Sequence, residues 1–179
     1  MRKKSLKKSI IFGKRIFLKN FLKKDITKFY INALNDPQLT KYSRQKYIFH
    51  KKSNCIHYLN SFKKNKNLFL KIVCKKTNKF IGTTTIYFSD DNMSADIGIF
   101  IMNKNFHRLG YATEVYKLLT NFLFDNSFKV EKITAGTSIN NKAMIKVLKK
   151  AAFKLDKKKK IKISNNRLVN SLFFYKLKK

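Results

Sequence analysis

The 179-residue sequence has no tryptophan, one proline, five glycines and two cysteines. Cys55 and Cys74 form no Cys-x-x-Cys pair, which argues against a disulfide framework and predicts a reducing, cytoplasmic compartment. Cys55 lies near His50 and His57, but the spacing fits no metal site, and none is predicted. No apolar run is long enough to span a bilayer, and the stretch 10–12 is too short for a signal core.

Acidic residues are also scarce. Nine Asp and Glu stand against 42 Lys and Arg, which gives a formal net charge of +33. Arginine occurs only at positions 2, 15, 44, 108 and 167, so 37 of the basic residues are lysine. Because Lys, Asn, Ile and Phe share A/T-rich codons, we interpret this charge as genome composition bias. Such charge attracts polyanions unspecifically. Since the lysines are spread along the whole chain, we predict no specific nucleic-acid partner.

The length and a hydrophobic content of 44% are those of one globular domain with its own core. We expect residues 1–12 to form a solvated basic tail and residues 13–179 to form the domain. No internal repeat or linker-like composition divides this second segment.

One segment changes its hydrophobic period in the middle. Positions 95–102 are apolar and β-branched with a period of two, which predicts a strand with Ile97, Ile99 and Ile101 on one face. From Tyr111 onward the apolar residues recur at helical spacing. The sequence therefore predicts a strand, a short loop and a helix in direct succession.

The loop between them reads His107-Arg108-Leu109-Gly110, followed by Tyr111-Ala112 at the start of the helix. The first amides of a helix have no internal partners and carry the positive end of its dipole. Gly110 allows a phosphate to approach the backbone closely, and the small Ala112 allows tight packing. The residues therefore favour a phosphate cradle, with an ordinary strand–loop–helix connection as the alternative.

This loop resembles the pyrophosphate loop of the GNAT acetyltransferase superfamily, usually written Gln/Arg-x-x-Gly-x-Gly/Ala. His107, Gly110 and Ala112 stand at its defining positions. The flanking Ala-Asp-Ile-Gly-Ile and Gly-Tyr-Ala-Thr-Glu resemble the branch that acetylates ribosomal-protein N-termini, which also contains enzymes that act on small molecules and amino sugars. The resemblance implies acetyl-CoA as co-substrate and no metal.

The fold implied by the resemblance is α/β (α+β). It is a single domain with a mixed, mostly antiparallel central sheet flanked by helices. Its parallel strands 95–102 and 132–138 splay apart, and the pantetheine arm enters the gap between them.

The other elements follow from periodicity and turn residues. Asp25 is predicted to cap a first helix that ends before Pro37, and Ser53 a second. Asn140 or Asn141 is predicted to cap a late helix. Further strands are expected at 15–18, 68–74, 80–88 and 172–177, a loop at 38–50, and a solvated hairpin or loop at 157–160.

Asp96 is the candidate general base. It lies on the strand face opposite the isoleucines and, by the resemblance, where histone-type members carry a Glu base; a structural acid paired with a cation is the alternative. The resemblance implies that Asn141 contacts pantetheine or an ordered water. It also implies that the segment 38–50, with Tyr42, Arg44 and Tyr47, helps shape the acceptor pocket, and an ordinary surface loop with aromatic anchors is the alternative. A plain N-cap is the alternative for Asn141. The implied acetyl-CoA-binding residues are Ile99, Phe100, Ile101, His107, Arg108, Leu109, Gly110, Tyr111, Ala112 and Asn141.

Several positions depart from the family pattern. Met144 stands where this branch often has a Ser that is proposed as a proton donor, and Leu148 stands where other branches have a Tyr. The stretch 149–153, Lys-Lys-Ala-Ala-Phe, lacks the acid and the glycine of the usual Glu-Lys-x-Gly-Phe.

The sequence as a whole predicts an N-acetyltransferase, a monomer or homodimer. It would transfer acetyl from acetyl-CoA to a primary amine of a small molecule, such as an amino sugar nucleotide, or of a protein N-terminus. A non-catalytic acyl-CoA-binding domain and a basic RNA- or ribosome-associated protein are the alternatives.

Overall fold

A computed structural model describes residues 10–63, 66–125, 128–162 and 168–179. The strands are β1 (Ile11–Phe12), β2 (Ile16–Asn20), β3 (Leu68–Cys74), β4 (Phe80–Phe88), β5 (Ser94–Ile101), β6 (Lys132–Ser138), β7 (Lys154–Lys162) and β8 (Leu168–Leu177). The helices are α1 (Lys28–Asn35), α2 (Pro37–Thr40), α3 (Lys52–Ser61), α4 (Tyr111–Phe124) and α5 (Lys142–Lys150). The predicted bounds of β3, β4, β6 and the start of α4 are confirmed.

The strands of the described ranges form one open sheet in the order β1-β2-β3-β4-β5-β6-β8-β7. Strands β5 and β6 are parallel, and the other neighbouring pairs are antiparallel. Helix α4 provides the crossover between the two parallel strands, as the sequence predicts. The predicted fold class is therefore confirmed.

Two hydrophobic cores cover the two faces of the sheet. Helices α4 and α5 pack on one face, where Ile97 is buried and Ile99 and Ile101 pack against the core. Helices α1 and α3 pack on the other face, and Phe100 contributes to that core. The alternation predicted for β5 is confirmed, and it places Asp96 on the face of α1 and α3. No helix of the described ranges is both long and apolar enough to cross a bilayer.

Two predictions near the N-terminus are wrong in detail. Ile11 and Phe12, predicted to belong to the tail, pair with β2 instead, and Ile11 is buried. Thr27, and not Asp25, caps α1 by accepting a hydrogen bond from the Tyr30 amide at 3.3 Å. The Asp25 carboxylate is buried and forms an ion pair with Lys71 of β3. A distant cation therefore overrides the local capping preference of Asp25.

The segment 38–50 is more ordered than the predicted loop. Asp36 caps α2 by accepting from the Gln38 amide at 2.8 Å, so Pro37 starts a helix as well as ending one. A 3₁₀ helix follows at Arg44–Tyr47. Helix α3 then begins at Lys52 rather than after Ser53.

The predicted solvated hairpin at 157–160 is instead the middle of β7, an exposed strand at the edge of the sheet. Strand β8 begins at Leu168, earlier than predicted, and lies between β6 and β7. Charged lysines are compatible with an edge strand, because they discourage pairing with another chain.

Helix α5 ends in a turn of the kind that usually contains glycine, although Ala152 stands at that position. Ala152 adopts a left-handed conformation with φ of 62°. Its amide donates to the Lys149 carbonyl at 3.0 Å, and the Phe153 amide donates to the Leu148 carbonyl at 3.0 Å. This is a Schellman motif in which a Cβ occupies the position that favours glycine.

Ala152→Gly is therefore expected to raise the free energy of unfolding by about 1 kcal/mol, because glycine adopts this conformation without strain. Denaturant midpoints measure the change. Ala143→Gly, in the regular part of α5, is the control and should lower stability by roughly 0.5–1 kcal/mol. Destabilisation by both substitutions would contradict this account of the turn.

Candidate active site

The loop between β5 and α4 is held in an unusual backbone path. Asn103 caps the 3₁₀ helix Lys104–Phe106, accepting from the Asn105 amide at 3.0 Å. Arg108 and Gly110 then adopt left-handed conformations, with φ of 61° and 82°. Such alternation of backbone conformation turns successive amides toward a common centre and forms an anion-binding concavity.

The amides of this loop are available to a ligand. Within the described ranges no group accepts a hydrogen bond from the amides of Arg108, Leu109 or Gly110, nor from the first three amides of α4. Helix α4 has 14 residues, so its dipole adds positive potential at this end. An adjacent groove of about 380 Å³ is lined by Gln38, Leu39, Lys104, His107 and Arg108. The geometry suits the phosphate groups of a nucleotide-bearing ligand.

His107 has a structural contact in the loop. Its Nε2 atom lies 2.9 Å from the Ile101 carbonyl oxygen and donates to it in the tautomer that carries the proton there. The ring therefore ties the loop to the end of β5. Arg108 is exposed and supplies positive charge beside the groove.

Arg15, which the sequence did not single out, fastens the other end of the loop. It precedes β2, and its Nη1 donates to the Leu109 carbonyl at 2.9 Å. Its backbone amide and Nε each donate to the Glu114 carboxylate at 2.7 Å. Its guanidinium also lies 4.4 Å from the centre of the Tyr111 ring. One side chain thus joins the loop and the start of α4 to the sheet.

Arg15→Lys is expected to weaken acetyl-CoA binding by about threefold to tenfold and to leave kcat at saturating acetyl-CoA unchanged. Lysine keeps the charge but cannot span Leu109 and Glu114 with a fork of donors. Titration calorimetry measures the dissociation constant, with Lys14→Gln as the control for loss of a neighbouring positive charge. Wild-type affinity in Arg15→Lys would show that the clamp does not prepare the loop for binding.

The two parallel strands separate immediately after their first residues. Pairing between β5 and β6 covers only Ser94–Lys132, Ala95–Ile133 and Asp96–Thr134. Strand β5 then continues to Ile101 beside β4, while β6 continues to Ser138 beside β8. The predicted splay is therefore present, and Asp96 lies at its apex.

The gap exposes main-chain groups of β5. The Ile97 carbonyl accepts from the Tyr116 hydroxyl at 3.2 Å, and the Ile101 carbonyl accepts from His107. Because main-chain groups alternate along a strand, Ile99 presents its amide and carbonyl to the same side. The amide and carbonyl of Ile99 have no partner in β6 within the described residues, so they can pair with an extended ligand.

Asp96 is held in place by one hydrogen bond across the apex. The Thr134 hydroxyl donates to Asp96 Oδ2 at 2.7 Å. The protein packed around the Asp96 carboxyl desolvates it and raises its pKa, although the residue is exposed on the face of the sheet, so solvent moderates this rise. The Thr134 hydrogen bond and the charge of Arg44 act in the opposite direction on this pKa. A carboxylate with a raised pKa is a better proton acceptor near neutral pH.

Two tyrosines, also missed from the sequence, lie beside Asp96. Tyr87 of β4 is its cross-strand neighbour, and the Tyr87 hydroxyl lies 2.7 Å from the Tyr58 hydroxyl of α3. Desolvation raises the pKa of Tyr58. Both side chains remain partly exposed, at 36% and 39%. We call Asp96, Tyr58 and Tyr87 the acceptor-side cluster.

Asn141 caps α5, since its side-chain oxygen accepts from the Met144 amide at 3.2 Å. Of the two predicted candidates, Asn140 and Asn141, the second is therefore the cap. Met144 packs against the core and Leu148 is fully buried. At the positions where other branches carry a proton donor, α5 thus contributes packing instead.

Among the described residues, the structure combines a loop with unpartnered amides, a gap in which Ile99 has no main-chain partner in β6, and a carboxylate with a raised pKa at the closed end of that gap. This arrangement leaves room for an extended phosphorylated ligand. Residues 15–154 match the family model of the acetyltransferase (GNAT) domain. The chain belongs to the GNAT acetyltransferase family, whose members generally use acetyl-CoA. No curated protein is similar enough in sequence to count as a match.

Solved structures of several acetyltransferases share this fold. RimL, a ribosomal L7/L12 alpha-N-protein acetyltransferase in complex with coenzyme A, has a TM-score of 0.80 at 13% identity over 94% of this chain and 98% of that chain. MccE, a microcin C7 self-immunity acetyltransferase in complex with acetyl-CoA and AMP, has 0.78 at 18% over 92% and 93%. Spermidine N-acetyltransferase from Vibrio cholerae, in complex with CoA and spermine, has 0.73 at 17% over 92% and 96%. The likeness establishes the fold these proteins share, while their acceptors differ.

Proposed function

We propose that the protein transfers the acetyl group of acetyl-CoA to a primary amine of a small molecule. The observation that carries this proposal is the position of Asp96, at the apex of the splayed strands and at the far end of β5 from the anion-binding loop. A thioester placed along the gap would therefore bring its carbonyl toward this carboxylate. Cys55 and Cys74 are both free, which is consistent with an enzyme of a reducing compartment such as the cytoplasm.

The residues divide the binding of acetyl-CoA between them. The amides of Arg108, Leu109 and Gly110, with those of Tyr111 and Ala112, receive the pyrophosphate. The main-chain groups of Ile99 and the amide of Ile101 pair with the pantetheine arm, while the main chain of Phe100 between them faces β4. The side-chain oxygen of Asn141 caps α5, and its side-chain nitrogen, which has no partner among the described residues, is available to the same arm.

In the reaction, the neutral amine attacks the thioester carbonyl and the carbon–sulfur bond breaks. Asp96 accepts the proton lost by the amine, directly or through a water, and the sulfur leaves as the thiolate of CoA. The products are an amide and CoA. Because Met144 and Leu148 are packed in the core, we assign no proton donor to the departing thiolate.

The test is release of CoA thiol from acetyl-CoA in the presence of a panel of amines, with mass spectrometry of the product. Thiol release that depends on the amine, together with an acetylated product, supports the proposal. Acetyl-CoA binding without amine-dependent release would instead establish the non-catalytic acyl-CoA-binding alternative. A ribosomal-protein N-terminal peptide in the panel distinguishes a protein acceptor from a small molecule.

A further inference from the structure

One half of the sheet is left uncovered on the side that carries Asp96. The core between the sheet and helices α1 and α3 includes no described residue of β6, β7 or β8. The cross-strand register continues this side outward from Asp96, because Thr134 pairs with Asp96 and Tyr175 of β8 pairs with Thr134. Lys154 of β7 lies opposite Tyr175. We call this side of β6, β8 and β7 the open face.

Two aromatic side chains lie on the open face. Phe173 and Tyr175 are two residues apart on β8, so they are on the same side of the sheet, and both are partly exposed. Neither contributes to the two hydrophobic cores of the described chain. Phe173 lies opposite Gly136, where an added Cβ would lie 3.5 Å from its ring. Because position 136 has no side chain, the Phe173 ring stays accessible from that direction.

A β-bulge in β7 aligns lysines with these two rings. Lys154 lies opposite Tyr175 and Lys157 lies opposite Phe173, where a regular strand would place Asp156. The bulge leaves Asp156 as the extra residue, with its carboxylate 3.7 Å from the Lys157 ammonium. The register of β7 therefore places positive charges, and not the acid, directly opposite the aromatic residues.

Further positive charge surrounds the rings. Lys159 lies on the same side of β7 as Lys157, two residues further along the strand. From β6, the Lys132 ammonium lies 5.2 Å from the centre of the Tyr175 ring. Lys132, Lys154 and Lys159 have no acidic partner among the described residues. Their charge is therefore available to a ligand on the open face.

The charge of the open face restricts what can cover it. A second copy of this chain would bring the same lysines against one another, and like charges at an interface oppose association. A polyanion that carries planar groups suits the face better. Phosphates pair with ammonium groups, and nucleic-acid bases stack on aromatic side chains.

We propose that the open face binds single-stranded nucleic acid, with phosphates on the lysines and bases against Phe173 and Tyr175. A bound phosphate attracts the Lys132 ammonium, so the Tyr175 ring becomes available to a base. Phosphate contacts and base stacking tolerate any sequence, so this binding has no base specificity. The lysines are spread along the chain, and the fold gathers part of them beside two accessible rings.

The experiment measures the fluorescence anisotropy of labelled oligouridylate and oligothymidylate of about 12 nucleotides, a length that fits one single-strand site. Each titration is repeated over a range of salt concentrations, with inorganic polyphosphate as a competitor that has charge but no bases. A charge variant combines Lys132→Gln, Lys154→Gln and Lys159→Gln. Its control combines Lys23→Gln, Lys24→Gln and Lys28→Gln, which remove the same charge at exposed positions around the start of α1.

The charge variant should bind both oligonucleotides about 10- to 100-fold more weakly than wild type at moderate salt. The slope of log K against log salt concentration should become shallower by about 2, because three phosphate contacts are lost. The control variant should keep a slope within about 0.5 of wild type. All six positions carry exposed or partly exposed lysines, so both variants are expected to fold.

A second pair of variants tests the rings without changing the charge. Gly136→Val covers the Phe173 ring, and valine suits a strand. Affinity should fall about 5- to 100-fold, the effect of losing one stacked base, while the salt slope stays unchanged. Thr137→Val is the control, because Thr137 pairs with Leu172 on the opposite side of the sheet. Thermal melting checks that both variants are folded.

Equal salt slopes in the two lysine variants would overturn the inference, because the whole protein would then attract nucleic acid diffusely. Wild-type affinity in folded Gly136→Val, or polyphosphate that competes as well as an unlabelled oligonucleotide, would also overturn it. Tighter binding to vesicles of anionic lipid would assign the face to a membrane surface. A dimer that Gly136→Val dissociates, with oligonucleotide affinity unchanged, would assign it to a second copy. Release of CoA thiol is measured separately, so none of these outcomes decides the proposed function.

Discussion

Asp96→Asn is expected to lower kcat by about 10²- to 10³-fold, because the amide can no longer accept the proton of the attacking amine. The affinity for acetyl-CoA should stay within about twofold of wild type, since the cofactor contacts that we propose come from the main chain of β5 and from the loop. Steady-state rates at saturating acetyl-CoA and a separate titration measure the two quantities. Unchanged turnover in Asp96→Asn would remove Asp96 from the mechanism.

The pH dependence of the rate provides a second test of the role of Asp96. The base works only when ionised, so the rate should rise with pH through the raised pKa of Asp96. Thr134→Val removes the hydrogen bond that lowers this pKa. The pKa should then rise further, and the inflection should move to higher pH. Thr137→Val on the same strand serves as the control, and an inflection that shifts equally in both variants would contradict the assignment.

Gly110→Glu is expected to weaken acetyl-CoA binding by at least about 100-fold. The substitution places a carboxylate at the anion-binding amides. It also forces a side chain onto a residue with φ of 82°. Titration calorimetry at moderately high salt measures the loss, because salt suppresses unspecific attraction between the ligand and a protein of +33 charge.

Two further variants separate charge from backbone strain. Gly110→Ala adds a Cβ that would lie 3.5 Å from Arg15 Nη2, an ordinary contact, so strain of about 1–2 kcal/mol is its main effect. It should therefore reduce stability more clearly than binding. Asn32→Glu introduces the same charge on the exposed face of α1 and should bind acetyl-CoA as wild type does. Equal affinities in Gly110→Glu and Asn32→Glu would mean that the loop does not bind the cofactor.

Sequence patterns predicted the central strands correctly, because the local conformational preferences of these residues agree with their burial in the sheet. Strands β3, β4 and β6 are dense in β-branched residues and are bounded by clear turns, so their predicted ends are correct. The cap of α1 was missed because Asp25 and Thr27 both suit that position. The choice depends on Lys71, which is 46 residues away in sequence and buries the Asp25 carboxylate in an ion pair.

The run of lysines at 157–160 shows a different limit of sequence reasoning. Its charge suggests a loop, but the hydrogen-bonding main chain of β8 organises it into a strand. The side chains of an edge strand can be polar and exposed, because the main-chain hydrogen bonds to the neighbouring strand hold it in place. The pairing partner, and not the composition of the segment, decided its structure.

The residues of the site also fall into those that the sequence predicted and those that only the fold reveals. The loop and its glycine are local in sequence, so the motif predicted them. Arg15, Tyr58 and Tyr87 come from separate elements that only the folded sheet brings to the site. The scarcity of arginine was the one available signal for Arg15, and it gains meaning once the fold places this residue beside the loop.

The most direct test of the central claim is titration of the wild-type protein with acetyl-CoA at increasing salt, with inorganic pyrophosphate as a charge control. We predict saturable binding to one site that survives moderately high salt, while pyrophosphate binding is weak and disappears. This result would mean that the loop and the gap between β5 and β6 together recognise the cofactor. If both ligands lost affinity in parallel as salt increased, the binding would be unspecific attraction of polyanions, and the acetyltransferase account would be contradicted.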